Sequence, residues 1–229
     1  MNRLATAAAT ALATMLATVT LPCAAQSPES LGRWYVTGSF GSSLISDPGA
    51  SLAAPGGSPT SGKLRLGNGL MAGGSVGWSL RPDLRIEADY NYRTNKLRST
   101  SVPGLDAVQP DADLASVLIM ANVLRDFEGW NTGRARFKPY VGVGLGVAQE
   151  VDTDLNIAGV QREFSGNRAA WQLLTGVNWH YGSRWFAGAG LRYIDAGTVR
   201  LQSPAASAGV IRADYKGFGL DLRVGYRFQ

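Results

Sequence analysis

The chain has 229 residues, a formal net charge of +5 and a single cysteine, Cys23. That length holds one domain with a leader, and the lone cysteine excludes a disulfide framework. No apolar run of roughly 18 residues follows residue 25, so no helix of this chain spans a bilayer, whereas strands could.

Residues 1–25 read as a cleavable secretory signal. Met1 to Arg3 gives a positive start, Leu4 to Leu21 an apolar stretch rich in Ala and Thr, and Cys23-Ala24-Ala25 a small-residue site before Gln26. Pro22 directly before Cys23 argues against lipoprotein processing. Residues 26–229 then form the mature domain, with no cysteine and, once Arg3 is removed, a net charge of about +4. These charges are scattered, which suits an anionic surface and not nucleic acid.

Eight segments of alternating polarity follow, with long and short connections in turn. The first, Arg33 to Leu44, sets Trp34, Val36, Phe40 and Leu44 against Arg33, Tyr35, Thr37 and Ser43. A Gly/Pro/Ser-rich connection leads to Leu70–Leu80, with Leu70, Ala72, Val76 and Trp78 on the apolar parity. After the Arg81-Pro82-Asp83 turn, the third sets Leu84, Ile86, Ala88, Tyr90 and Tyr92 against Arg85, Glu87, Asp89, Asn91 and Arg93. No amphipathic helix has that period.

A further long connection precedes Leu114–Leu124, where Ala115, Val117, Ile119, Ala121 and Val123 share a face. Its pattern alone also fits a short helix; its neighbours favour a strand. Trp130 falls in the next turn. The fifth segment contains PYVGVGLGVAQ (Pro139–Gln149), whose glycines miss the dinucleotide spacing G-x-G-x-x-G from either start and follow a period of two instead. Trp171–Trp179, Trp185–Tyr193 and Phe218–Phe228 complete the set. Each segment needs about 10 to 12 residues, the length of a tilted strand crossing a bilayer.

The predicted fold is therefore all-β: an eight-stranded antiparallel up-and-down transmembrane barrel. Trp34, Trp78, Trp179, Trp185, Tyr226 and Phe228 are expected near the periplasmic interface, and Tyr90, Tyr92, Trp171, Tyr193 and Phe218 near the outer one, as aromatic girdles. The opposite parity lines the lumen with Arg33, Arg85, Glu87, Asp89, Arg93, Arg192, Asp221, Arg223 and Arg227. Buried charges need partners, so Arg85, Glu87, Asp89, Arg192, Asp221 and Arg223 are expected to form a structural network, with Glu87 and Asp89 reaching Arg192 or Arg223 across the lumen. Gly142, Gly144 and Gly146 make room for those side chains.

The stretches MANVLRDF (Met120–Phe127), KPYVGVGLGVA (Lys138–Ala148), WQLLTGVNW (Trp171–Trp179), LRYIDAG (Leu191–Gly197) and the terminal VGYRF resemble the eight-stranded outer-membrane barrels of the OmpA-like and opacity-type surface antigen families. The resemblance covers nearly all of residues 33–228 and implies residence in the outer membrane of a Gram-negative bacterium. It implies that Phe228, with Tyr226 two before it, forms the C-terminal signal read by the barrel-insertion machinery, although Gln229 follows. The periplasmic peptidoglycan-binding domain of full-length OmpA proteins is not expected.

Catalytic residues are not expected. His180, the single histidine, falls at the periplasmic end of its segment, away from the leaflet that holds lipopolysaccharide, and Gly182 stands where a serine would be sought. Glu150, Asp152 and Asp154 share a parity without a defined metal-binding turn, and no cofactor is implied. Arg200 and Arg212 in the last long connection are potential neighbours of lipopolysaccharide phosphates. The expected role is a non-enzymatic envelope barrel whose surface loops serve adhesion or environmental contact, with outer-membrane lipid, lipopolysaccharide and host surface ligands as partners. A narrow passive channel and a lipid A-modifying enzyme are the alternatives.

Overall fold

A computed structural model describes residues 34–53, 57–103, 113–133, 135–157, 160–202 and 210–228, with side chains outside the description at 150 and 152–164. The proposed leader, residues 1–25, and Arg33 lie outside the described residues.

Ten strands are formed in chain order: β1 (Trp34–Ile45), β2 (Gly49–Ala53), β3 (Thr60–Arg81), β4 (Leu84–Thr100), β5 (Asp113–Asp126), β6 (Trp130–Thr132), β7 (Ala135–Ile157), β8 (Val160–Tyr181), β9 (Trp185–Gln202) and β10 (Val210–Arg227). All pairings are antiparallel; the long strands β3, β4, β5, β7, β8, β9 and β10 pair in chain order, with the short β6 set aside, and β1 closes the ring by pairing with both β3 and β10. Closure removes the unpaired edge that hydrocarbon would not tolerate.

Eight staves carry the wall, as the alternation predicts, and the two additional strands are short. β2 continues the first stave between β10 and β3 after an interruption at Asp47-Pro48, where proline supplies no ladder donor. The turn expected around Trp130 contains β6, which pairs with the start of β7.

The strand lengths differ from the sequence expectation. β3, β7 and β8 have 22, 23 and 22 residues, so much of the expected long connections is strand. The cause is an inversion of the polarity pattern part-way up the wall. On β10, Phe218, Leu220, Leu222 and Val224 point outward and are exposed, while further up Ile211, Ala213 and Tyr215 point inward and Arg212 and Lys216 outward. On β4 the outward Ile86, Tyr90 and Tyr92 give way to outward Lys96 and Arg98 with Leu97 inside. The lower storey has apolar surface where lipid lies; the upper has the polar surface of a water-exposed sheet. A sequence reader following one apolar parity stops where that parity ends.

Apart from one shift at Ser79/Arg81 beside the short turn, irregularities in the ladder mark the same boundary. Register shifts occur between Arg65 and Gly69 on β3, between Ala115 and Val117 on β5, between Ala148 and Val151 on β7, between Ser165 and Trp171 on β8 and at Tyr215/Lys216 on β10. Each lies on the loop side of the uppermost lipid-facing residues, such as Leu70, Ile119, Val147, Trp171 and Phe218. The β9 bulge places Gly197 at φ 64°, left-handed backbone that glycine adopts without strain. A bulge also moves Val199 and Leu201 onto the lumen face, although Leu191 and Tyr193, of the same parity, point outward. Above the bulges the lumen is filled by one apolar cluster that includes Leu52, Leu64, Leu97, Leu118, Ile194, Val199, Leu201 and Ile211.

Candidate functional site: the barrel lumen and its outer rim

Below the apolar cluster the lumen is polar. β4 contributes the largest share because its alternation places Arg85, Glu87, Asp89, Asn91, Arg93 and Asn95 on one face, and all six are buried. The lowest cluster is centred on Arg85. Its Nε and Nη2 donate to Asp126 Oδ2 and Oδ1 at 3.0 and 2.9 Å, a two-point pairing, and its Nη1 reaches Glu87 Oε1 at 3.1 Å. Tyr35 on β1 donates to the same Glu87 oxygen at 2.6 Å.

One layer higher, Arg192 on β9 donates from Nη1 to Asp89 Oδ2 at 3.0 Å and from Nε to Asp221 Oδ2 at 3.2 Å. Arg223 donates to Asp221 Oδ1 from Nη2 at 3.2 Å. The Tyr140 ring lies between the clusters, with the guanidinium carbons of Arg85 and Arg223 at 5.6 and 5.0 Å from its centroid. The six residues expected as a network thus occupy two adjoining clusters. Asp89 reaches Arg192, whereas Glu87 reaches neither Arg192 nor Arg223 and instead pairs along its own strand with Arg85. Spacing explains the division: Glu87 sits one layer lower, beside Arg85 and Tyr35.

Tyr35, Asp126 and Tyr140 were not assigned to the network from sequence. Tyr35 and Tyr140 carried a usable signal, since both share the lumen parity. Asp126 carried none, because it stands at the end of its strand, beyond the segment recognised by alternation. The lumen glycines answer these aromatic side chains. A Cβ on Gly77 would enter the Tyr35 ring, one on Gly225 would enter the Phe186 ring, and Gly176 and Gly190 lie under the Tyr140 hydroxyl. Glycine in these strands therefore makes room for large residues from other staves.

The outward aromatic residues form rows of touching rings. Near the outer boundary, Trp171, Tyr193 and Phe218 follow one another across β8, β9 and β10 with centroids 5.5 and 5.1 Å apart. At the end with short turns, Trp34 meets Trp78 at 4.4 Å, Trp185 meets Tyr226 at 5.0 Å, Tyr226 meets Phe228 at 5.3 Å, and Phe137 lies between Trp130 and Trp179. His180 packs against Phe186 at that same end. Glu150, Asp152 and Asp154 belong to β7, but their side chains lie outside the described residues.

Just above the outer aromatic row the outward face is basic. Lys63, Arg65, Lys96, Arg98, Arg168, Arg200, Arg212 and Lys216 are all exposed there. Arg200 and Arg212 stand directly opposite each other on β9 and β10, a like-charge pairing that is unfavourable without an anion nearby, and Asp214 lies two residues from Arg212 on the same face of β10.

Comparison with known proteins agrees with this architecture. The sequence matches the family described as "Outer membrane protein beta-barrel domain" over residues 9–228. No curated protein matches it. Among solved structures, the outer membrane protein OprG from Pseudomonas aeruginosa superposes with a TM-score of 0.63 at 14% identity, covering 87% of this chain and 97% of OprG. The outer membrane protein AlkL gives 0.54 at 18% identity, with 92% and 96% covered. Neisserial surface protein A gives 0.51 at 20% identity, with 85% and 97% covered. At these identities the likeness concerns the fold. Lipid-facing apolar staves, a closed ring and a match over nearly the whole sequence lead to one conclusion: the chain belongs to the outer membrane protein β-barrel family and resides in the outer membrane.

Proposed function

We propose that this protein is a sealed, non-enzymatic barrel, exported by its leader at residues 1–25, that reinforces the envelope and carries a raised, basic rim for contacts at the cell surface. The observation that supports the sealed reading is the lumen network. Arg192 and Asp89 join opposite walls, Arg85 holds Asp126 and Glu87 below them, and every charged member of the two clusters is at most 6% exposed. Charges so buried hold one another in place, and a barrel of eight strands has an interior that its own side chains can fill.

The rim supports the second half of the reading. Strands that rise past the outer aromatic row carry cations to the level where lipid headgroups lie, and arginine pairs favourably with phosphate. Lipopolysaccharide is accordingly the proposed neighbour of the wall, and environmental or host ligands those of the loops. Assembly is proposed to use Tyr226 and Phe228, whose rings meet edge to face at the strand end.

Planar-bilayer recording of the purified protein tests the sealed reading. The expected result is a membrane without steady open steps. Reproducible steps that vanish on heat denaturation would establish the channel reading in its place.

A further inference from the structure

The upper charged layer has one cation too many. Three guanidinium groups, of Arg93, Arg192 and Arg223, face two carboxylates, of Asp89 and Asp221. Arg192 engages both carboxylates and Arg223 engages Asp221. Arg93 engages neither. Its side chain is 0% exposed; its Nε donates to Asn91 Oδ1 at 3.1 Å, and its Nη1 and Nη2 have no partner.

The surroundings make this a donor-rich site. The amide nitrogen of Asn91, two residues away on the same face of the strand, is also unpartnered. Among the described residues the unpartnered buried side-chain oxygens, of Ser39, Tyr140, Gln172 and Asn178, are neutral and carry no charge with which to balance a guanidinium. Asn95 donates to the Ser43 and Gly67 carbonyls and accepts from the Ser43 hydroxyl, and the Ser116 and Tyr215 hydroxyls are bonded to each other, so none of these neutral groups supplies a counter-charge. The apolar cluster adjoins this layer with Leu97 further up β4, Leu118 across from Asn91 and Ile194 two residues beyond Arg192, and none of them offers a side-chain acceptor.

A buried charge without a counter-charge is strongly unfavourable, and buried donors in native proteins are met by protein, water or an ion. We propose that the Arg93 guanidinium is the binding site for one monovalent anion, carboxylate or halide in chemistry, held where the polar lumen meets the apolar cluster. The forked Nη1 and Nη2 suit a carboxylate, and the Asn91 amide adds a third donor. Two sources share this chemistry: a dissolved halide, or a small dissolved carboxylate, because Leu97, Leu118 and Ile194 are packed in the apolar cluster and leave no surface for a longer tail. The inference is independent of the sealed reading, since a bound anion can sit in a closed lumen or an open one.

The test uses the full mature barrel in a zwitterionic detergent. Crystals grown in bromide are expected to give an anomalous peak beside the Arg93 guanidinium. In parallel, the unfolding temperature is followed by heat-modifiable migration at constant ionic strength, with bromide, formate or the neutral formamide added. Wild type should be stabilised more than R93Q by an anion that binds. A difference with bromide identifies a halide; a difference with formate but not formamide identifies a carboxylate. Should R93Q fail to assemble, R93K keeps the charge without the fork and is expected to bind about tenfold more weakly. The proposal is overturned if the map shows no peak and Arg93 turned onto Asp89 or Asp221, or if the variants and wild type respond equally to every anion.

Discussion

Arg192 and Asp89 approach to 3.0 Å from opposite walls of the barrel, one on β9 and the other on β4. The contact spans 103 residues of sequence and forms only when the ring is closed. It therefore ties side-chain pairing to completion of the barrel. Its two members are not equivalent, because Arg192 also holds Asp221, whereas Asp89 pairs with Arg192 alone among the described residues.

That asymmetry gives a prediction for stability. Arg192→Met leaves a buried carboxylate bare and is expected to cost about 3–5 kcal/mol. Asp89→Asn leaves Arg192 still paired with Asp221 and is expected to cost about 1–3 kcal/mol. The double variant should cost less than the sum by about 1–3 kcal/mol. Urea unfolding in lipid vesicles, followed by tryptophan fluorescence, measures all three; additive losses would show that the pair contributes nothing specific.

Gly144 tests the space argument. A Cβ there would run into Asn122 Oδ1 and stand 3.0 Å from Gln172 Cγ, whereas one on Gly38, on the outward face of β1, would meet nothing within 4 Å. Gly144→Leu is therefore expected to reduce the fraction of chain that reaches the heat-modifiable folded form, through overpacking worth roughly 1–3 kcal/mol or more. Gly38→Leu should fold as the wild type does. Equal folding of the two variants would remove the account of the lumen glycines.

The rim predicts a salt-sensitive lipid contact. Replacing Arg200 and Arg212 with Gln removes two cations at the headgroup level, each worth about 1 kcal/mol near an anionic surface. Binding of the detergent-solubilised barrel to lipopolysaccharide should fall on the order of thirtyfold, and the wild type should bind dephosphorylated lipopolysaccharide as weakly as the variant binds the native form. Retention of full affinity by the variant would place the contact elsewhere. Raising ionic strength should narrow the difference, because these charges are exposed.

Much of the architecture was legible before any coordinates. Period-two alternation over Leu84–Arg93 and Trp185–Ile194 defines strands, and the outward parity of Trp34, Trp78, Trp171 and Trp185 separates a lipid-facing surface from a lumen. These are local properties, carried by each residue's own position in its strand. Even the failure of PYVGVGLGVAQ as a nucleotide loop follows from spacing alone.

The strand tops were less legible. β9 runs on to Gln202 and β10 begins at Val210, yet both look like connection when a single apolar parity is followed, because bulges shift the register and the surroundings change from lipid to water. Val199, Leu201, Ile211 and Ala213 held a signal of their own, an alternation of the inverse sense.

Only the tertiary structure decided which charged residues meet. Sequence placed Glu87 and Asp89 on one face together, but closure and strand stagger bring Asp89 to Arg192 and leave Glu87 with Arg85, Tyr35 and the Asp126 cluster. The same closure leaves Arg93 without a counter-charge while its neighbours are paired. Alternation says which wall a side chain faces; its partner across the lumen depends on how eight staves are staggered around the ring, a relation between distant residues that no local pattern contains.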